Sequence, residues 1–94
     1  MNTTCNGYTN WDTFIVCLYS DNEERLYNLK LDMLHRLRHA DRLTRNRARC
    51  FATDSGLIQF CLRSEDEFDP GAVDWEDVAN SWTSELEEYK QYNA

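Results

Sequence analysis

Trp11, Phe14, Ile15, Leu18 and Tyr19 recur at steps of three and four, the spacing that places side chains on one face of an α-helix. Just before them, Thr9 offers a side-chain oxygen to the backbone N–H near Asp12, and the Asp12 carboxylate suits the positive end of a helix dipole. A first helix is therefore predicted to about Ser20, with Thr9 as its cap. Ser20-Asp21-Asn22 reads as a turn and second cap, followed by Glu23 and Glu24 in the first turn of the next helix. There Leu26, Leu29, Met33, Leu37 and Ala40 form one stripe, and Tyr27, Leu31 and Leu34 widen it, so this helix is predicted to be central to the core. His35, Arg36, Arg38, His39 and Arg42 gather in its last two turns, where the negative end of the dipole favours cations.

Thr44 to Arg49 has no clear apolar period and reads as a connection or a frayed helical turn. A shorter third helix is predicted from Asp54 or Ser55, carrying Leu57, Ile58, Cys61 and Leu62 with Phe60 on its flank. Gly56 disfavours it, and a strand over 57–62 is the alternative for so short an apolar run. Ser64 to Gly71 is acidic, contains the one proline and reads as a loop. Asp74 then caps a last helix in which Trp75, Val78, Ala79, Trp82, Leu86 and Tyr89 line one face and Glu76, Asp77, Glu87 and Glu88 the other. Three glycines and one proline are too few for the turns of an all-β chain. The predicted fold is all-α, a compact four-helix bundle or orthogonal array in one domain over residues 1–94, with 1–8, apart from Tyr8, and 91–94 loose. Trp11, Trp75 and Trp82 read as core anchors, although an exposed indole beside the acidic residues would instead mark a binding surface.

Composition narrows the function classes. No run of about 18 apolar residues occurs, and Met1 to Asn6 lacks the basic and apolar regions of a secretory signal, so a cytoplasmic protein with no membrane partner is expected. Cys5, Cys17, Cys50 and Cys61 are expected to be free thiols, Cys17 and Cys61 acting as small hydrophobes. No nucleophile elbow, glycine-rich phosphate loop or Cys-x-x-Cys pair is present, so neither an enzyme nor a cofactor is expected. His35 and His39 stand four apart, but the arginines between them disfavour a metal, and they read as solvated.

The formal net charge of -7 is unevenly spread: residues 1 to 64 hold nine Lys/Arg and seven Asp/Glu, residues 65 to 94 one and ten. The carboxylates of Glu65, Asp66, Glu67, Asp69, Asp74, Glu76, Asp77, Glu85, Glu87 and Glu88 are either a solvated face or a row of charges offered to a cationic groove, as a nucleic-acid backbone offers phosphates, with all of these but Asp74 and Glu85 expected to make the contact. Arg36, Arg38, Arg42, Arg45, Arg47 and Arg49 are the alternative surface, suited to phosphates, unless they pair with the protein's own acids.

Asn6-Gly7-Tyr8-Thr9-Asn10-Trp11-Asp12-Thr13-Phe14, followed by Val16, Leu18, Tyr19 and Asp21-Asn22-Glu23, resembles the opening helix of a group of short proteins carried by phages, plasmids and other mobile elements. Asp12 stands where that group usually has Glu, and Phe14 where it has Trp. Val73 to Ala79 resembles the group's closing helix, while the arginine-rich middle has no counterpart. The resemblance implies a mobile-element setting, in which small acidic proteins often disarm host nucleases, as anti-CRISPR and anti-restriction proteins do. The expected function is thus a stoichiometric inhibitor of a host defence complex, a protein or ribonucleoprotein such as a CRISPR effector. The runner-up is a nucleic-acid-binding accessory protein that uses the arginines.

Overall fold

A computed structural model describes residues 7–92. The chain is all-α, with helices α1 (Trp11–Asn22), α2 (Glu24–Arg36), α3 (Arg45–Asp54), α4 (Leu57–Arg63) and α5 (Trp75–Tyr92), a 3-10 turn at Pro70–Ala72, and no strand among the described residues. The count is therefore five α-helices where the apolar pattern gives four.

Each departure has a local cause. Asn10, not Thr9, caps α1: its side-chain oxygen accepts the backbone N–H of Thr13 at 2.9 Å. At the other end of α1, Glu23 adopts an extended conformation that both ends α1 and caps α2. α2 stops at Arg36 and the chain turns at 37–39, leaving Arg38, His39 and Arg42 beyond the helix. Leaving the helix there lets Leu43 bury itself and donate its backbone N–H to the Thr83 hydroxyl of α5 at 3.0 Å. Arg38 still serves the dipole, its guanidinium donating to the last-turn carbonyl of His35 at 2.8 Å.

The largest correction is α3, formed by the stretch from Arg45 that has no evident apolar period. Thr44 caps it by accepting the Arg47 N–H, and its inward face consists of Ala48 and Ala52, both fully buried, beside Phe51. Two alanines make a weak hydropathy signal but allow close approach, and α3 packs more extensively on α5 than any other helix pair. Phe51 meets the Trp82 ring edge-on with centroids 5.5 Å apart. Gly56, at φ +86°, then takes the left-handed conformation that separates α3 from α4. The segment 57–62 is helical, so the strand alternative is not realised.

Ile15, Val16, Leu26, Leu34, Leu43, Leu57, Val78, Trp82 and Leu86 form the core, contributed by four of the helices and by the segment before α3. Of the tryptophans only Trp82 is fully buried; its indole N–H has no hydrogen-bond partner among the described residues. Trp75 is half-buried and Trp11 is 43% exposed, which overturns its expected role as a core anchor. Tyr8 meets Ser81 side chain to side chain at 3.2 Å, and Gln91 and Tyr92 belong to α5. Residues 1–6 and 93–94, including Cys5, lie outside the described residues. No helix among those described is long and apolar enough to cross a membrane.

Candidate binding surface

The two stretches that carry the resemblance are hydrogen-bonded to each other. The Thr9 backbone N–H donates to the Asp77 carboxylate at 2.7 Å and its hydroxyl to Asp74 at 2.9 Å. The Asn10 amide donates to the Ala72 carbonyl at 2.8 Å, and the buried Thr13 hydroxyl accepts the Asp74 N–H at 2.9 Å. Asp74 in turn caps α5 by accepting the Asp77 N–H at 3.1 Å, as its position before Trp75 predicts. Asp12 accepts the Asp69 N–H at 2.8 Å, and the Trp11 indole N–H donates to the Glu67 carbonyl at 2.8 Å. The start of α1 is thereby clasped to the 66–77 segment and the start of α5. Thr9, Asn10, Asp12 and Thr13 of the opening motif all take part in this clasp.

The clasp decides where the predicted carboxylates go. It brings Asp12, Glu67, Asp69, Asp74 and Asp77 together, with Glu76 beside Asp77 at the start of α5, whereas Glu65 and Asp66 lie next to Tyr19, Phe60 and Arg63; of these acids only Asp12 was not singled out by the charge pattern. The result is an acidic lobe with the half-exposed Trp11 indole on it. Glu87 and Glu88 are not part of it, lying eleven residues beyond Glu76 and Asp77, or about 16 Å along α5 at the helical rise. Among the described residues one of the eight predicted carboxylates is ion-paired with an arginine: Glu76 accepts from Arg42 at 3.0 Å. Asp66 accepts from the Tyr19 hydroxyl, which holds that phenol above its ordinary pKa. Asp69 caps the 3-10 turn through the Gly71 N–H, Asp77 receives Thr9, and Glu87 lies 3.6 Å from Lys90. The side chains of Glu65, Glu67 and Glu88 take part in no hydrogen bond or ion pair among the described residues.

The arginines divide differently. Arg36 pairs with Asp32 at 2.8 Å and Arg42 with Glu76, whereas Arg45, Arg47 and Arg49 stand exposed on α3 without an ion pair among the described residues. Arg45 and Arg49 line a cleft of about 380 Å³ against Trp75, Asp74 and Glu76, and Arg47 faces a groove shared with α2. Arg36 and Arg47 thus line one groove, and Arg45 and Arg49 another beside the Glu76 that Arg42 bonds. His35 and His39 are exposed, and the His35 ring meets the Tyr89 hydroxyl at 2.7 Å. Among the described residues no three His, Cys, Asp or Glu side chains are arranged to hold a metal ion.

One polar cluster escaped the sequence reading. Lys30 is fully buried, and its ammonium donates to Asp21 at the end of α1 and to Glu85 on α5, the latter at 2.8 Å. It also lies 5.5 Å from the centre of the Tyr27 ring. Its position between Leu26 and Leu34, four residues from each, is the signal that could have revealed it, since a lysine inside an apolar stripe needs a partner. Burial pushes the Glu85 carboxyl above its usual pKa despite the ammonium beside it. Burial also pushes the thiols of Cys17 and Cys61 up to about 12, while Cys50 is exposed; all three are free.

Residues 1–92 match a family described as a family of unknown function (DUF7249). No curated protein and no solved structure matches the chain.

Proposed function

The chain belongs to that family of unknown function, and from this premise we propose that it is a non-catalytic binding protein of a mobile element, one that inhibits a host defence nuclease by presenting its acidic lobe to a cationic groove. The observation that carries the reading is the lobe itself, with an indole 43% exposed among carboxylates of which Glu76 alone is neutralised by an arginine. Such a surface combines a source of long-range attraction to cations with an aromatic anchor of the kind that supplies binding energy at interfaces. The mobile-element setting rests on the resemblance of the two clasped stretches, and a CRISPR effector is the first target to test. The carboxylates assigned to contact are Glu65, Asp66, Glu67, Asp69, Glu76 and Asp77. Glu87 and Glu88 form an outlying pair.

The experiment is binding and nuclease inhibition against purified CRISPR effectors, with Glu65→Lys/Glu67→Lys and Trp11→Ala as variants. Inhibition that is lost in the charge-reversed variant while helicity is unchanged supports the reading. Full inhibition by that variant overturns the acidic mechanism. The second reading, nucleic-acid binding, is favoured by the exposed, unpaired Arg45, Arg47 and Arg49. It requires retention on DNA or RNA that weakens steeply with salt, through release of counterions from the phosphates.

A further inference from the structure

A groove of about 350 Å³ runs between α2 and the last turns of α5, lined by Tyr27, Leu31, Leu34, Glu85, Glu88, Tyr89 and Tyr92. Its chemistry is narrow. Three phenol rings and two leucines supply the walls, two carboxylates supply the charge, and among the described residues no cationic side chain lines it. Two of the rings are open to solvent, Tyr27 at 39% and Tyr92 at 90%. The molecule's own Lys30 already places an ammonium on the inner side of this cluster, over the Tyr27 ring and bonded to Glu85. Lys30, Asp21 and Glu85 together leave one negative charge when all are ionised, and Glu88 adds another at the mouth without an ion pair among the described residues.

We propose that this groove binds the side chain of an arginine presented by a partner protein, with the guanidinium stacked on the Tyr27 and Tyr92 rings and its charge met by Glu88. Charge complementarity selects a cation. Planar aromatic walls beside a carboxylate favour guanidinium over ammonium, because it stacks on π-faces, is more weakly hydrated and offers several donors in one plane. The groove lies beyond the acidic lobe, at the far end of α5 from Glu76 and Asp77, so it would give a cationic partner a second, side-chain-specific point of attachment.

The test uses the full chain in solution and a blocked single-arginine peptide, acetyl-Gly-Arg-Gly-amide, followed by backbone amide NMR. Shifts that saturate at millimolar peptide and centre on Tyr27, Leu31, Glu88 and Tyr92 are expected. The peptide with citrulline, which keeps the shape but not the charge, should leave those resonances in place. Glu88→Gln and Tyr92→Leu, both at exposed positions, should each weaken the arginine peptide about two- to fivefold. Equal binding of the citrulline peptide, or unchanged affinity in both variants, overturns the site. Equal binding of the lysine peptide overturns its assignment to guanidinium. Shifts confined to residues 65–77 also overturn it and leave the acidic lobe as the cation-binding surface, so failure of the groove and failure of the lobe are read separately.

Discussion

The two ends of this molecule use carboxylates in opposite ways. At the clasp, Asp12, Asp69, Asp74 and Asp77 accept hydrogen bonds from backbone N–H groups or the Thr9 hydroxyl, and their charges remain at or near the surface without a cation. At the other region, Asp21 and Glu85 close on the ammonium of Lys30, which has no exposed surface at all. Capping satisfies the donors of a helix start while leaving the local field negative, whereas pairing satisfies a buried cation and cancels most of the field. A carboxylate's value to a partner is therefore set by what it bonds inside the molecule. On the proposed reading, this is why the lobe around Trp11, rather than the whole acidic third of the chain, is the surface offered.

The largest effect expected from breaking this contrast is at Lys30. Lys30→Ala leaves Glu85 and Asp21 facing each other without a cation and should cost about 3 kcal/mol in urea unfolding, the lower end for a broken buried pair because both acids keep some exposure. A loss below about 1 kcal/mol would place the trio with ordinary surface pairs.

Alkaline titration comes next. The folded chain holds the Cys17 and Cys61 protons up to about 12, against an ordinary value of 9.0, so the folded state binds more protons than the unfolded one above pH 9. Stability should be at its full value below pH 9 and fall as the pH rises toward 12, by up to about 1.4 kcal/mol per pH unit for each thiol. Burial raises the Tyr8 pKa and adds in the same direction. Denaturant midpoints at pH 8 and 10.5 measure the fall, and Cys17→Ala with Cys61→Ala should flatten it.

In the clasp the effects are smaller. Asn10→Ala removes the cap of α1 and the strut to Ala72 and should cost about 1 kcal/mol, read from thermal melting. The smallest effect on folding sharpens the comparison most: Glu65→Lys/Glu67→Lys should change stability by no more than about 0.5 kcal/mol, because neither carboxylate is bonded within the described residues. If that double variant melts much earlier, the lobe is a structural feature and not a spare surface.

How much of this was legible beforehand depended on the strength of the local signal. The period of Trp75, Val78, Ala79, Trp82 and Leu86 locates α5, and Asp74 is its cap as its position predicts. α3 stayed hidden because its buried face is Ala48 and Ala52, whose small side chains barely register in a hydropathy pattern although they let two helices approach closely. The acids of 65–69 could be named from the chain, but their union with Asp12 and Trp11 depends on contacts between residues more than fifty positions apart.

The amino-acid order by itself determined the helical class, the positions of α1 and α5, the start of α2 and the concentration of negative charge in the last third, because these follow from side-chain spacing and from counts along the chain. Tertiary structure alone decided which carboxylates cap, which pair and which remain unbonded, and that Trp11 faces solvent while Lys30 does not. Those outcomes depend on what each side chain meets across the fold, and burial and partnership are properties of three-dimensional neighbours.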